Sequence, residues 1–120
     1  MIESLGNRHR RGEVITAVAV ESEILRLTDE LEERTDEYEG RCRFSAESDA
    51  NFKVKWAVAF ISAEGTEARR KATADADCSD FYMKRQVDDG LERSCKERML
   101  SLRHEISAMQ SLLSSVRSQT

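Results

Sequence analysis

The stretch EVITAVAVESEILRLTDELEERTDEYE, residues 13–39, decides the fold of this chain. Its apolar side chains recur at alternating spacings of three and four residues, and only Arg34 interrupts them. The residues of this seam are Ala17, Val20, Ile24, Leu27, Leu31 and Tyr38. Such a heptad pattern predicts an amphipathic helix whose apolar face packs against another helix. Acidic residues fill the outer face, and Gly40 is the expected end of the helix.

Residues 80–118 repeat this pattern and predict a second long helix. Their seam, which Cys95 and Met99 extend backward, consists of Leu102, Ile106, Met109, Leu113 and Val116. Gly90 costs the helix about 1 kcal/mol relative to alanine, which allows a bend or a frayed turn near it. Because one chain of 120 residues covers two seams only partly, we expect a homo-oligomer that forms through the five residues of the last helix.

The segment NFKVKWAVAFI, residues 51–61, allows two interpretations. Its large apolar residues alternate with lysine and alanine, and they are Phe52, Val54, Trp56, Val58 and Phe60. A period of two is typical of a half-buried strand. The same residues also fit a helix that Ser45 or Ser48 could N-cap. We favour a short helix, because the chain contains no second β-like run with which a strand could pair.

The stretch AFISAEGTEARRKATADAD, residues 59–77, contains a break at Gly65. Glycine is the common residue just after a helix C-terminus. Thr66 can N-cap a following helix, and Glu67 then lies in its first turn, where a negative charge is favourable. We therefore expect Gly65 to separate two helices.

The composition supports an all-α fold. The chain is 39% hydrophobic, 35% charged and 6% aromatic, and it contains no proline. These values are typical of long amphipathic helices. We predict two long amphipathic helices packed as an antiparallel, coiled-coil-like hairpin, with a shorter middle helix. Residues 1–12, with three arginines and one acid, are the expected flexible basic arm, and residues 13–120 form a single helical domain.

The sequence offers no segment for a membrane. It has no apolar run of about 18 residues, and its beginning, MIESLGNRHRRG, lacks the apolar segment of a signal peptide. We therefore expect a cytoplasmic protein without a membrane partner.

The sequence also lacks the signatures of common catalytic sites. It contains no GxSxG, HExxH, P-loop or GxGxxG motif, so we expect no enzymatic activity. The three cysteines and two histidines stand at none of the spacings that hold a metal on one helix. We expect neither a metal nor another cofactor.

Charge is distributed unevenly along the chain. Residues 13–48 carry four bases against eleven acids, whereas residues 49–74 carry five bases against three acids. An overall pI near 5.3 argues against a protein dedicated to duplex DNA. Cations beside an aromatic residue, Trp56, are nevertheless the components of single-strand binding. The cations are Lys53, Lys55, Arg69, Arg70 and Lys71. Alternatively, Trp56 belongs to the core and these cations to an ordinary solvated face.

The order of these segments resembles that of a known family. An acidic heptad helix, the stretch FISAEGTEARRKA and the last helix, LRHEISAMQSLLSSVRSQ, look like small helical proteins of tailed bacteriophages. Over residues 20–118 the chain is similar to the recombination-mediator family typified by UvsY. This resemblance implies an all-α protein in the host cytoplasm that oligomerises through its C-terminal helix and binds single-stranded DNA. It also implies a role in loading a recombinase onto strands that a single-strand-binding protein covers.

Two other functions use the same sequence features. A phage structural or scaffolding protein would use the heptads for assembly alone. A regulatory adaptor would use the acidic first helix to contact a basic partner. Binding to an oligonucleotide that weakens with salt would separate the mediator from both.

Overall fold

The computed structural model describes residues 15–119, which fold into three α-helices and contain no strand. Helix α1 spans Ala17–Ser62, α2 spans Glu67–Asp77, and α3 spans Ser79–Ser118. The predicted all-α fold is confirmed, with two long helices and a shorter one between them. The predicted basic arm, residues 1–12, and the first two residues of the predicted first helix lie outside the described residues.

Contacts divide the chain into two compact units, both built from segments of α1 and α3. Among the described residues, unit 1 contains 15–35 and 97–119, and unit 2 contains 36–96. The two long helices run antiparallel in each unit, since later residues of α1 pair with earlier residues of α3. In unit 1, Glu21 binds Arg117 and Glu30 binds Arg98, with closest N–O distances of 2.5 and 2.6 Å.

The core of unit 1 is the predicted pair of heptad seams. Val20 and Leu27 from α1 and Met99 and Leu102 from α3 are buried. Leu27 and Leu102 are among the largest fully buried side chains of the described chain. Burial of each such side chain stabilises the fold by about 1.5–3 kcal/mol relative to leaving it exposed. The heptads therefore act within the chain, as the hairpin prediction requires.

Helix α1 does not end at Gly40, so that prediction is wrong. The seam continues past Gly40 at the same spacing, because Tyr38, Arg41 and Ser45 are all at least partly buried. Glycine in a helix interior costs only about 1 kcal/mol, and contacts along a continuous seam offset this amount. Gly90 lies within α3, which continues through it without a frayed turn.

The segment 52–61 is helical, as favoured, but it forms the end of α1 and not a separate helix. The shorter middle helix is α2. Ser45 and Ser48 consequently lie inside α1, and neither is an N-cap. The buried Ser48 hydroxyl instead donates a hydrogen bond to the Asp88 carboxylate on α3. The buried residues of unit 2 include Ser48, Ala74, Cys78 and Cys95.

The break at Gly65 is confirmed. Gly65 has φ = 105°, a conformation that side-chain-bearing residues rarely adopt. Thr66 has an extended backbone and is the N-cap of α2, since its hydroxyl accepts a hydrogen bond from the Arg69 backbone N–H at 3.2 Å. The turn therefore folds α2 back beside the end of α1 within unit 2.

Candidate nucleic-acid interface

All five predicted DNA-binding cations lie in unit 2, on two helices. Lys53 and Lys55 belong to the last turns of α1, and Arg69, Arg70 and Lys71 form part of α2. Arg70 is half-buried and the other four are exposed. The five cations have different surroundings in the structure.

Lys53 begins a chain of contacts that reaches α3. Its ammonium lies 2.8 Å from Asp49 Oδ2, and Arg85 Nε lies 2.9 Å from Asp49 Oδ1. The hydrogen bond from Lys53 is the main reason that the pKa of Asp49 is lowered, and the charge of Arg85 lowers that pKa further. The Arg85 guanidinium also stands 5.2 Å from the centre of the Phe52 ring.

Two further aromatic rings adjoin these cations. Tyr82 meets Phe52 edge to face, with ring centres 5.7 Å apart. The ammonium of Lys55 stands 5.9 Å from the centre of the neighbouring Phe81 ring. Both Phe81 and Tyr82 are exposed. We call these residues the cation–aromatic cluster, and its members are Lys53, Lys55, Arg85, Phe52, Phe81 and Tyr82.

Arg70 has a structural position. Its Nε donates a hydrogen bond of 3.1 Å to the backbone carbonyl of Phe60, near the C-terminus of α1. Its guanidinium lies 4.5 Å from the centre of the Phe60 ring. A cation that binds one of the last carbonyls of a helix stabilises that helix end. Arg70 therefore joins α2 to α1 and presents less of its charge to a ligand than its neighbours do.

Trp56 is half-buried, although the alternative to DNA binding places it in the core. Its ring is stacked on Phe60 with centres 5.3 Å apart and planes inclined by 8°. Its indole N–H donates a 2.8 Å hydrogen bond to Asp75 on α2. The indole therefore packs against one side of unit 2 and remains partly accessible.

Arg69 and Lys71 are more available. Lys71 lies 3.4 Å from Glu67, and both side chains are largely exposed. Arg69 forms no ion pair within residues 15–119, and its side chain extends past Gly65. Exposed ion pairs contribute little to stability, so an anion can replace Glu67 at modest cost.

A cavity of about 320 Å³ opens beside the cluster and is lined by Phe52, Asp75, Ser79 and Tyr82. Two aromatic rings with a carboxylate and a hydroxyl suit a flat, polar-edged group. A second cavity of about 380 Å³ is more polar. Its lining residues include Cys42, Asp49, Arg85, Asp89 and Glu92.

Sequence reasoning did not select Arg85, Phe81 or Tyr82. Their segment, DFYMKR at residues 80–85, combines two aromatic residues with two cations, which is the same signal that marks residues 52–56. In the sequence this signal overlaps the start of the long heptad helix predicted for residues 80–118. Contacts such as Asp49–Arg85 join residues far apart in sequence, and no periodicity predicts them.

The five predicted oligomerisation residues all lie in unit 1. Leu102 is fully buried within a single chain, whereas Ile106, Met109, Leu113 and Val116 are half-buried. The side chain of Leu102 therefore packs inside a single chain and offers no surface to a second copy. The part of the other four that remains exposed is available to a partner.

Other chemistry is limited in the described part of the chain. Residues 15–119 contain no group of three or more His, Cys, Asp or Glu side chains that could hold a metal ion. Cys42, Cys78 and Cys95 form no disulfide. The Cys42 thiol contacts Glu92, with the sulfur 3.5 Å from its carboxylate, and a hydrogen bond with Cys42 raises the pKa of Tyr38.

None of the three described helices is both long and apolar enough to cross a membrane.

Comparison of the chain with protein families, with curated proteins and with solved structures gives no match.

Proposed function

We propose that this chain is a non-enzymatic helical accessory protein of phage recombination or replication that binds single-stranded DNA through the cation–aromatic cluster. In this role it self-associates and helps to load a recombinase onto strands that a single-strand-binding protein covers. The observation that carries the proposal is the alternation of cations and rings in unit 2. Lys55 and Arg85 each lie within 6 Å of the centre of an aromatic ring, and Lys53 shares a carboxylate with Arg85.

Single-strand binding needs these two kinds of group together. Cations follow the phosphates, while aromatic faces stack on the bases without strong sequence preference. Phe81 and Tyr82 supply exposed rings, and the cavity beside Tyr82 has the size and polarity for part of a base. The ion pair of Lys53 with Asp49 is at the surface, so a phosphate can compete with that carboxylate.

The net charge of −4 means that one chain provides only a small number of phosphate contacts. A homo-oligomer would add the contacts of several copies on one strand, and linked weak sites bind much more tightly than one site alone. Self-association is therefore part of the proposed function. In this proposal, the acidic part of α1 in unit 1 contacts a basic protein partner, such as the recombinase.

The test is the fluorescence anisotropy of a labelled oligo-dT across a salt series. Changing Lys53, Lys55 and Arg85 together to glutamine should weaken binding and reduce the salt slope by about 2, since each single-strand phosphate contact contributes about 0.7. Arg43, Arg93 and Lys96, exposed residues of the same unit, provide a glutamine triple with the same change in charge. If both triples behave alike, binding reflects net charge only. If the wild type does not bind at low salt, the DNA-binding function is wrong.

A second candidate is a phage structural, scaffolding or adaptor protein that acts through protein contacts alone. The specific observation in its favour is the number of exposed aliphatic side chains in unit 2, which include Val54, Val58, Ile61, Met83 and Val87. Val54, Val58 and Ile61 follow one face of α1, and contiguous apolar surface commonly marks a protein interface. Self-association together with no oligonucleotide binding at any salt concentration would favour this candidate.

A further inference from the structure

The cavity beside the cation–aromatic cluster receives side chains from all three described helices, within unit 2. Phe52 comes from α1 and Asp75 from α2, and the first turn of α3 supplies Ser79 and Tyr82. Its volume, about 320 Å³, is near the lower end of the range typical of ligand sites, which is about 300–1,000 Å³. The cavity therefore has room for one small group.

The ring and the carboxylate of this cavity are held in place by other contacts. Tyr82 packs edge to face on Phe52, and its hydroxyl accepts a 2.8 Å hydrogen bond from the Gln86 amide. Asp75 Oδ1 accepts a 2.8 Å hydrogen bond from the Trp56 indole N–H. A carboxylate has about four lone-pair sites, so Asp75 can accept further hydrogen bonds. Groups that are already ordered lower the entropic cost of binding a ligand.

A carboxylate distinguishes nucleic-acid bases by the donors on their Watson–Crick edges, because it accepts hydrogen bonds and cannot donate them. Guanine presents two adjacent donors, N1–H and the 2-amino group. Adenine and cytosine each present one amino group on this edge. Thymine presents a single N3–H between two carbonyl oxygens, which a carboxylate repels. Guanine is therefore the base that suits the cavity best.

We propose that the cavity binds a guanine base, which stacks on Tyr82 and donates two hydrogen bonds from its Watson–Crick edge to the Asp75 carboxylate. The Tyr82 ring is 44% exposed, so its face is accessible. The Ser79 hydroxyl lines the same cavity and can donate to an acceptor of the base. Arg85, whose guanidinium stands 5.2 Å from the centre of the Phe52 ring, supplies a cation for the attached phosphate.

This inference rests on the single-strand binding of the proposed function and adds a base preference to it. Cations and aromatic rings bind all bases with little distinction. A bidentate contact with one base should add a preference of about tenfold for guanine over thymine. This value is near the lower end for such contacts, because Asp75 and Ser79 are exposed to water. Oligo-dT consequently measures the cations and rings without the contribution of Asp75.

The test is the fluorescence anisotropy of three labelled oligonucleotides at one low salt concentration. The first is oligo-dT, the second carries guanine in place of one central thymine, and the third carries hypoxanthine there. Hypoxanthine is guanine without the 2-amino group, so it loses one of the two donors. We expect the guanine oligonucleotide to bind about tenfold more tightly than oligo-dT, with hypoxanthine between them.

Two matched variants assign the preference to one carboxylate. Asp75→Asn and Asp77→Asn each remove one negative charge from an exposed residue of α2, but Asp77 lies outside the lining of the cavity. Asp75→Asn should abolish the preference for guanine, and oligo-dT should still bind. Asp77→Asn should strengthen binding of all three oligonucleotides equally and keep the preference. Circular dichroism should show equal helix content, since asparagine retains an oxygen that can accept the Trp56 N–H.

Calorimetric titration with mononucleotides separates a base within a strand from a free nucleotide. Deoxyguanosine and deoxythymidine monophosphate carry the same phosphate, so a difference between them reports the base alone. Tighter binding of the guanine nucleotide would show that the site also takes free nucleotides. A preference seen with oligonucleotides but not with mononucleotides would assign the site to strands.

The outcomes distinguish a failure of this inference from a failure of the proposed function. Equal binding of the guanine and thymine oligonucleotides by the wild type overturns the inference and leaves the DNA function intact. A preference that survives Asp75→Asn, or that is lost in Asp77→Asn, also overturns the inference. If no oligonucleotide binds at low salt, the DNA function is wrong. The mononucleotides then decide the inference, which fails if the wild type does not prefer the guanine nucleotide.

Discussion

Replacing Leu102 with alanine distinguishes a core residue from an oligomer contact. The heptads of the last helix allow both roles, but the side chain is 0% exposed within one chain. Leucine-to-alanine changes at buried sites cost about 2–5 kcal/mol, depending on how far the surroundings collapse into the cavity. The core of unit 1 lies between two helices with solvent close by, so partial collapse is possible. We therefore expect a loss of about 3 kcal/mol.

The loss should be visible in urea unfolding followed by circular dichroism. A change of about 3 kcal/mol also corresponds to a fall in Tm of about 10 °C for a domain of this size. The measurement should be repeated at several protein concentrations, because a lost subunit contact would give an effect that depends on concentration. Leu113→Ala is the comparison, since that side chain is only half-buried and should cost about half as much. A loss below about 1 kcal/mol for Leu102→Ala, or one confined to high concentration, would refute the reasoning.

Two other changes have clear expected results. Gly65→Ala should destabilise the chain by about 1–2 kcal/mol, because φ is 105° there. Gly90→Ala should stabilise it by about 0.5–1 kcal/mol, since an added Cβ in this helix interior meets nothing within 4 Å. Thermal unfolding measures both changes, and equal effects would contradict the assigned backbone conformations. Lys53→Met should raise the pKa of Asp49 towards its ordinary value, as NMR titration of the carboxyl can show. Because the lowered pKa belongs to the folded state, the stabilisation from Asp49 is present above its unfolded-state pKa and is lost as the pH falls through the folded value. An unchanged pKa in the Lys53 variant would show that the hydrogen bond is not its cause.

The two long helices could be predicted because heptad spacing is a local property of the sequence. The length of α1 could not, since Gly40 is a common stop signal and only contacts with α3 determine whether a helix continues through it. The alternation in residues 51–61 was ambiguous for a related reason. A period of two describes one face of a strand or two faces of a helix, and the choice depends on what lies on each side.

The candidate site was predicted in part. Lys53 and Lys55 could be selected from local charge, but their aromatic neighbours on α3 could not, because the pairing of Lys55 with Phe81 depends on the alignment of two helices. The structural position of Arg70 was likewise hidden, since it depends on the fold at Gly65 that brings α2 back to Phe60.

The hydrogen bond between the buried Ser48 hydroxyl and the half-buried Asp88 carboxylate joins α1 to α3 within unit 2. Aliphatic seams tolerate sliding, because a shift of one heptad brings similar side chains together again. After such a shift of α3, Ser48 would face Phe81 or Cys95 in place of Asp88, and the polar groups would lose their partners. A single polar pair in an apolar seam can select one register at some cost in stability. The hydrogen bond between Ser48 and Asp88 therefore favours one register of the two long helices in unit 2.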